Sequence, residues 1–367
     1  MDSLGLAESE AKEADVIIIV ACAVRQTAVD RVLGKAKNWK GKKILVTGCV
    51  LDADKKKFAD KGIKIFGPGD FKTLKKYLSC HSEPIRQAQG KLREESIRVR
   101  SFAYAQDDSP KTSRYHKVDR DPDKSASSGL ITSQYVPIMT GCNNFCSYCA
   151  VPYTRGREKS RLLEDIIKDV KKLISAGHKE IMLLGQNVNS YAISQTSNLK
   201  PQTYNLELKK SKTDFTKLLE KLNKLEGDFE ISFTSNHPKD MTDDIIEAVA
   251  TLPKVKKEIH LPLQSGSNKV LQSMNRPYTI KQYLDIVKKI KKIGDIDITT
   301  DVIVGYPTET EEDFENTVEI FKKVKFKQAY INKYSPRSGT AAYKLGDPIK
   351  WSEKQRRWRI LNDLVKR

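Results

Sequence analysis

Three cysteines fall within eight positions of the stretch TGCNNFCSYCAVPYTRG, residues 140–156: Cys142, Cys146 and Cys149. A C-x3-C-x2-C spacing brings three thiolates around one small object, and two chemistries answer to it. Structural zinc takes four protein ligands, yet the 25 residues after Cys149 contain neither a histidine nor a fourth cysteine. The first candidate beyond them is His178, at the far end of an expected helix, so zinc would need a ligand from a distant segment. A cubane of four irons and four sulfides also prefers four thiolates. Three leave one iron open to bind a substrate or cofactor, as catalytic metal sites do.

Three other cysteines stand earlier in the chain. Cys22 ends the apolar run ADVIIIVAC and Cys49 ends KKILVTGC. Each is read either as a small buried hydrophobe or as a thiol sharing a site with the other. Cys80 has no partner pattern and reads as a bystander. Directly behind the triplet, YTRGREKSR carries Arg155, Arg157, Lys159 and Arg161. Guanidinium groups suit phosphate through paired hydrogen bonds, and the competing reading is a solvated helix start. KKIKK at 288–292 and KQRRWR at 354–359 read as solvated helical faces.

These residues need elements to carry them. Strand Val16–Val20, helix Thr27–Trp39 and strand Ile44–Val46 form a crossover of a length that makes the two strands parallel. Cys22 and Cys49 then emerge at one C-terminal edge, about 5 Å apart if the strands are neighbours and about 10 Å with one strand between. Residues 1–80 are therefore expected to be an α/β domain with a parallel sheet. From 81 to 132 periodicity decays among charges, Gly, Ser and Pro, which reads as a linker or insertion.

From 133 to 367 strands and helices alternate. Strands are expected at Tyr135–Met139, Glu180–Leu184, Asp228–Phe233, Glu258–Leu261, Ile298–Val304 and Gln328–Tyr334. The intervening helices fall near Leu163–Ala176, Asp214–Leu225, Thr242–Thr251, Ile280–Ile293 and Glu311–Lys323. Such an array is a barrel or partial barrel, and the triplet after its first strand would lie on the C-terminal face, where barrel enzymes place chemistry. Residues 190–213 read as a long βα loop on that face.

At 367 residues two domains are expected. The formal charge of +19 attracts polyanions, RNA foremost, with an anionic membrane as the rival. The sequence contains no apolar run near the ~20 residues of a spanning helix and no signal pattern at its start. The expectation is a cytoplasmic protein, for which six cysteines argue metal or redox chemistry over disulfides.

The triplet, with Tyr148 before its last cysteine, resembles the radical S-adenosylmethionine (SAM) superfamily, whose fold is a partial (βα)6 TIM-like barrel. GCNNFCSYCAVPYTRGREKSR, LLGQNVNSY, HLPLQSGSNKVLQSMNR, DVIVGYPTETEEDF and YSPRSGTAA together resemble its methylthiotransferases, with wording closest to the MiaB-type tRNA enzymes. The resemblance covers residues 14–78 and 134–367.

It implies a 4Fe–4S cluster on Cys142, Cys146 and Cys149 that chelates SAM and cleaves it to a 5′-deoxyadenosyl radical. A second 4Fe–4S cluster on the first domain is implied at Cys22 and Cys49, with the family's first cysteine missing from this chain. The implied reaction methylthiolates carbon 2 of an isopentenylated adenosine beside the tRNA anticodon, using two SAM molecules. SAM contacts are implied at Tyr148, Gly185, Gln186, Gln264, Ser265, Arg276 and Gly305, and tRNA contacts at Arg155, Arg157, Lys159 and Arg161. An electron donor such as flavodoxin or ferredoxin and a sulfur donor are the implied partners, and a monomer is expected. The all-β RNA-binding domain that family members append is not found before Arg367, so truncation at both ends is expected. Other readings stand beside this one: methylthiolation of a ribosomal protein or of another modified tRNA adenosine, a noncatalytic iron–sulfur RNA-binding fragment, and a zinc-stabilised module.

Overall fold

The computed structural model describes residues 6–8, 16–22, 26–39, 41–66, 97–103, 133–193 and 212–365. They group into two compact units. The first holds the described residues up to 103 with 148–154 and 335–343; the second holds the rest of 133–365. Cys80 lies outside the described residues.

In the first unit the parallel sheet runs in the order β1-β5-β2-β3-β4. Its strands are β1 (Leu6–Glu8), β2 (Val16–Cys22), β3 (Lys43–Cys49), β4 (Lys64–Phe66) and β5 (Ile97–Ala103). The run Val16–Ile19 is buried without alternation, the pattern of a strand covered on both faces. Helix α1 (Gln26–Ala36) supplies Val29 and Val32 to a core shared with Ile17, Ile19, Ile44, Val46 and Phe58. Helix α2 (Asp52–Ala59) opens on Asp52 and Asp54, acidic groups that suit a helix N-terminus. Asp54 also accepts a bond from Arg337 Nη2 at 2.9 Å, with both side chains buried.

Strand β5 lies inside the stretch 81–132 read as linker or insertion, and it is wedged between β1 and β2. Its sequence, IRVRSFA, alternates apolar and charged residues for only four positions, too few to stand out from a charged background. The remainder of 81–132 lies outside the described residues.

The second unit is a βα array. Strands β6 (Ser133–Pro137), β9 (Glu180–Leu184) and β10 (Glu230–Phe233) form one parallel sheet. Strands β11 (Glu258–His260), β12 (Asp297–Val304) and β13 (Gln328–Lys333) form another. A parallel bridge between Ile231 and Val255 links the two sets, so neighbours follow chain order across six strands. This is the expected partial barrel. Its helices α4 (Leu163–Ser175), α5 (Asp214–Asn223), α6 (Asp243–Thr251), α8 (Ile280–Ile293) and α9 (Glu311–Val324) match the sequence reading closely. Capping boxes at Thr279/Gln282 and Thr310/Asp313 fix where α8 and α9 begin. The short helices α3 (Val151–Arg155) and α7 (Asn268–Ser273) were not anticipated.

Helix α10 (Trp351–Val365) corrects the reading of KQRRWR as a solvated face. Lys354, Arg357 and Leu361 form its buried side. Lys354 Nζ donates to the Tyr334 carbonyl at 2.9 Å and also pairs with Asp347, while Arg357 Nη1 meets Glu309 Oε2 at 2.7 Å. Cations enter the interior here because each finds an oxygen there. The lysines of 288–292 are exposed, as expected. Among the described residues no helix is long and apolar enough to cross a membrane.

Candidate active site

The cysteine loop starts where β6 ends. Strand β7 (Met139–Thr140) pairs antiparallel with β8 (Lys159–Ser160), so the chain that leaves the barrel at 141 returns at 158. Gly141 has φ +78°, and a Cβ there would overlap the Arg157 carbonyl; only glycine fits both demands. Cys142 N–H donates to the Gly156 carbonyl at 3.2 Å, and Glu158 N–H to Asn143 Oδ1 at 3.3 Å. At the tip, Phe145 takes φ +47°, a conformation that costs energy and gathers at functional sites.

A second segment, 273–278, clamps this loop. Ser147 N–H donates to the Met274 carbonyl at 3.0 Å, and Ser147 Oγ bonds the Ser273 carbonyl and Tyr306 hydroxyl, both at 2.8 Å. Asn275, at φ +54°, aims Nδ2 at the carbonyls of Asn144 (3.2 Å) and Phe145 (3.0 Å). Arg276, almost fully buried, places Nη1 3.5 Å from Cys146 Sγ. Of the five described non-glycine residues at positive φ, Phe145, Ser235, Gln264 and Asn275 all sit in loops that follow barrel strands.

None of the three thiols is in a disulfide; Cys142 and Cys146 are buried and Cys149 is half-buried. Burial, reinforced by Cys146 and Glu158 nearby, pushes the Cys142 thiol up, so holding it as thiolate calls for a cation. Cys149 stands on 148–154, where Val151 N–H reaches its Sγ at 3.5 Å. Among the described residues no three His, Cys, Asp or Glu side chains gather as a site for a single metal ion. Thiolates that each bind a different iron of a cubane need not meet at one point. The donor set fits a cluster: three thiols outside any disulfide on one loop, with N–H groups directed at two of the sulfurs.

Other expected SAM contacts show more than one use. Gly185 gives up its Cβ space to Met139, whose Cγ would be 2.5 Å away. Gln186 Oε1 is buried and finds no partner among the described residues, the condition of an acceptor awaiting a ligand. Gln264, at φ +63°, bridges to Val302, donating N–H to the Asp301 carbonyl (2.8 Å) and accepting from Ile303 N–H (3.0 Å). Ser265 Oγ accepts from Ser267 N–H at 3.2 Å. Gly305 has φ +72°, lies under the Lys354 stem and donates N–H to Glu309 Oε2 at 2.6 Å. Tyr148 is half-buried on the segment that groups with the first unit.

Sequence reasoning missed the polar residues past β10. Asn236 Nδ2 donates to the His260 carbonyl at 2.8 Å, leaving its buried Oδ1 without a partner among the described residues. His237 Nδ1 accepts from Lys239 N–H at 3.2 Å, and burial, with Arg276 and Lys239 near, pulls the ring down to about 2. The neutral ring therefore carries its proton on Nε2, also without a partner among the described residues. His260, at the end of β11, holds Thr299 Oγ1 at 2.9 Å and Asp301 Oδ2 at 3.1 Å. TSNHP offered a signal only as polar residues crowding a strand end.

In the basic stretch Arg155, Arg157 and Lys159 are exposed. Arg157 lies over the Phe145 ring, 4.5 Å from its centroid. Arg161 instead lies back against the end of β6 and helix α4, donating to the Pro137 carbonyl (2.7 Å) and Asp169 (2.8 Å). In the first unit, β2 and β3 are neighbours, and their register sets Cys22 opposite Cys49.

Comparison with known proteins agrees with this anatomy. The model of the radical SAM superfamily matches residues 136–321, and that of the uncharacterized protein family UPF0004 matches 2–66. The chain is 40% identical over 370 residues to the tRNA-2-methylthio-N(6)-dimethylallyladenosine synthase of Clostridium botulinum (strain Okra / Type B1), covering 97% of this chain and 74% of that one. It is 37% identical to the synthase of the same name from Carboxydothermus hydrogenoformans, covering 99% and 78%. Among solved structures, the radical SAM methyltransferase TsrM of Kitasatospora setae superposes with a TM-score of 0.53 at 12% identity, over 88% of this chain and 63% of that one. A thiol loop after the first barrel strand and identity at this level across both units lead to one assignment: the chain belongs to the radical SAM methylthiotransferases of the MiaB type, the tRNA-2-methylthio-N(6)-dimethylallyladenosine synthase family.

Proposed function

We propose that this chain methylthiolates carbon 2 of an N6-isopentenylated adenosine beside the anticodon of tRNA, with residues 1–80 and 133–367 as its two working domains. The observation that carries the reading is the loop of three cysteines after β6 in a chain 37–40% identical to curated synthases of that name. Cys142, Cys146 and Cys149 would hold a 4Fe–4S cluster. When bound, that cluster ligates SAM and supplies the electron that cleaves it.

The protein's own residues position and enclose. Asn275 and Ser147 fix the loop, and the buried acceptor of Gln186 lies at the end of β9, where the amino group of SAM is a suitable donor. Gln264, Ser265, Gly305 and Tyr148 complete the cofactor's surroundings. Arg155, Arg157 and Lys159 meet tRNA phosphates at the loop's outer side, while Arg161 holds the end of β6 in place. Cys22 and Cys49, set opposite each other by register, would be two ligands of a second cluster, which would supply the sulfur chemistry of the methylthio group.

Anaerobic reconstitution tests this directly. About eight irons per chain are expected for two clusters and about four for the barrel's alone. With SAM, a reductant, a sulfide source and isopentenylated tRNA, nucleoside mass spectrometry should find the 2-methylthio product. Iron and SAM cleavage without that product would overturn the tRNA assignment and favour a protein substrate.

A further inference from the structure

Arg276 was expected to meet SAM. The structure gives its side chain other work. It is buried and bonds the wall behind the cysteine loop: Nη1 to Cys146 Sγ (3.5 Å), Nε to the Tyr278 hydroxyl (3.2 Å) and Nη2 to the Pro262 carbonyl (3.3 Å). Its guanidinium also lies 5.2 Å from the centroid of the Tyr278 ring. Tyr278 in turn donates its hydroxyl hydrogen to the carbonyls of Leu263 (2.9 Å) and Pro262 (3.2 Å), which fixes the partner of Nε. The backbone that carries the arginine is pinned to the loop by Asn275 and Met274. A rigid, permanently charged donor is thus held against one thiol of the three.

From this juxtaposition we infer that Arg276 raises the reduction potential of the barrel cluster through the Cys146 sulfur. The inference rests on the cluster assignment proposed above. One-electron reduction adds a negative charge to the cluster, with the electron coming from an external low-potential reductant and no bond made or broken. A cation and an N–H···S bond on a ligand sulfur stabilise that added charge more than the oxidised state. Burial keeps water from screening the effect. Arginine suits the task because it stays protonated at any working pH. His237, whose ring lies 5.7 Å from that of Tyr278, stays neutral, so it adds no charge of its own beside the arginine.

The test is a dithionite titration of the full-length, anaerobically reconstituted chain followed by electron paramagnetic resonance. The signal that changes on adding SAM identifies the barrel cluster. Arg276→Gln should lower the reduced-to-oxidised ratio at fixed potential tenfold or more, a midpoint about 59 mV more negative for one electron. Iron content and the SAM concentration for half-maximal signal change should stay as in the unmodified chain. Arg276→Lys, which keeps the charge and loses the fork, should fall in the same direction by about two- to threefold, and it decides the matter if the glutamine variant fails to hold iron. A midpoint unmoved in both variants, or weakened SAM binding with the midpoint in place, overturns the role. Absence of any SAM-responsive signal in the unmodified chain overturns the cluster assignment as well.

Discussion

The two cysteine sites are built by opposite means. Cys22 and Cys49 end two neighbouring strands, and the register of a β-α-β crossover brings their backbones together. The Cys142–Cys149 loop is irregular and follows only two residues of strand; its shape comes from Gly141, from a strained Phe145 and from a clamp more than 120 residues away in sequence. A register site persists as long as its sheet does. A clamped loop can be undone by single changes that leave its barrel standing, and so can be tuned apart from the fold.

The sharpest test exchanges the two sites. Cys142→Ala should reduce 5′-deoxyadenosine formation from SAM by more than ~100-fold, since ligand loss exceeds the 10- to 100-fold typical of outer-shell changes. Cys22→Ser with Cys49→Ser should leave that cleavage in place and abolish the methylthiolated nucleoside. Cleavage lost in the second variant would break the division of labour.

Gly141→Ala should come next. A methyl group at φ +78° against the Arg157 carbonyl costs ~2–4 kcal/mol. The loop gives way before the barrel does, so iron should fall by the barrel cluster's share while the far-ultraviolet circular dichroism spectrum is unchanged. Asn275→Ala should act in the same direction at about 1–2 kcal/mol, removing two bonds and a residue tolerant of its backbone angle. Slower cluster loading, with melting temperature lowered by a few degrees, is the expected readout.

The smallest effect is a pH dependence confined to the barrel unit. His237 is held neutral, its pKa pulled to about 2, whereas an unfolded chain protonates it near 6.5. Between these values the unfolded state binds the extra proton, so stability is full above pH 6.5 and declines as pH falls through the window, at most ~1.4 kcal/mol per unit. His237→Asn, whose amide oxygen can still accept from Lys239, should flatten the loss of urea midpoint between pH 6.5 and 5. An unchanged slope would place the acid sensitivity elsewhere.

Regular elements were legible because their apolar spacing is local. Val16–Val20 and Ile298–Val304 announce strands, and Thr279 and Thr310 with Gln282 and Asp313 mark helix starts. The triplet was legible too, through residue type and spacing alone. What escaped was whatever depends on a distant partner. Lys354 and Arg357 look solvated until Tyr334 and Glu309 are seen to wait for them; IRVRSFA looks like linker until β1 and β2 flank it. Arg276 was noticed for its charge and assigned to a ligand, because no local pattern shows that its fork ends on Cys146. Asn275 gave no signal beyond being an asparagine, a residue that accepts left-handed backbone.

The buried Asp54–Arg337 pair carries a consequence for biosynthesis. The aspartate leaves the ribosome nearly three hundred residues ahead of the arginine that neutralises it, and chains emerge at roughly 5–20 residues per second. For many seconds the nascent amino-terminal sheet must hold a charge it cannot yet bury. Its final closure therefore waits for residue 337 to emerge, and the interval is one in which a chaperone or an early-arriving ligand would find that unit unsealed.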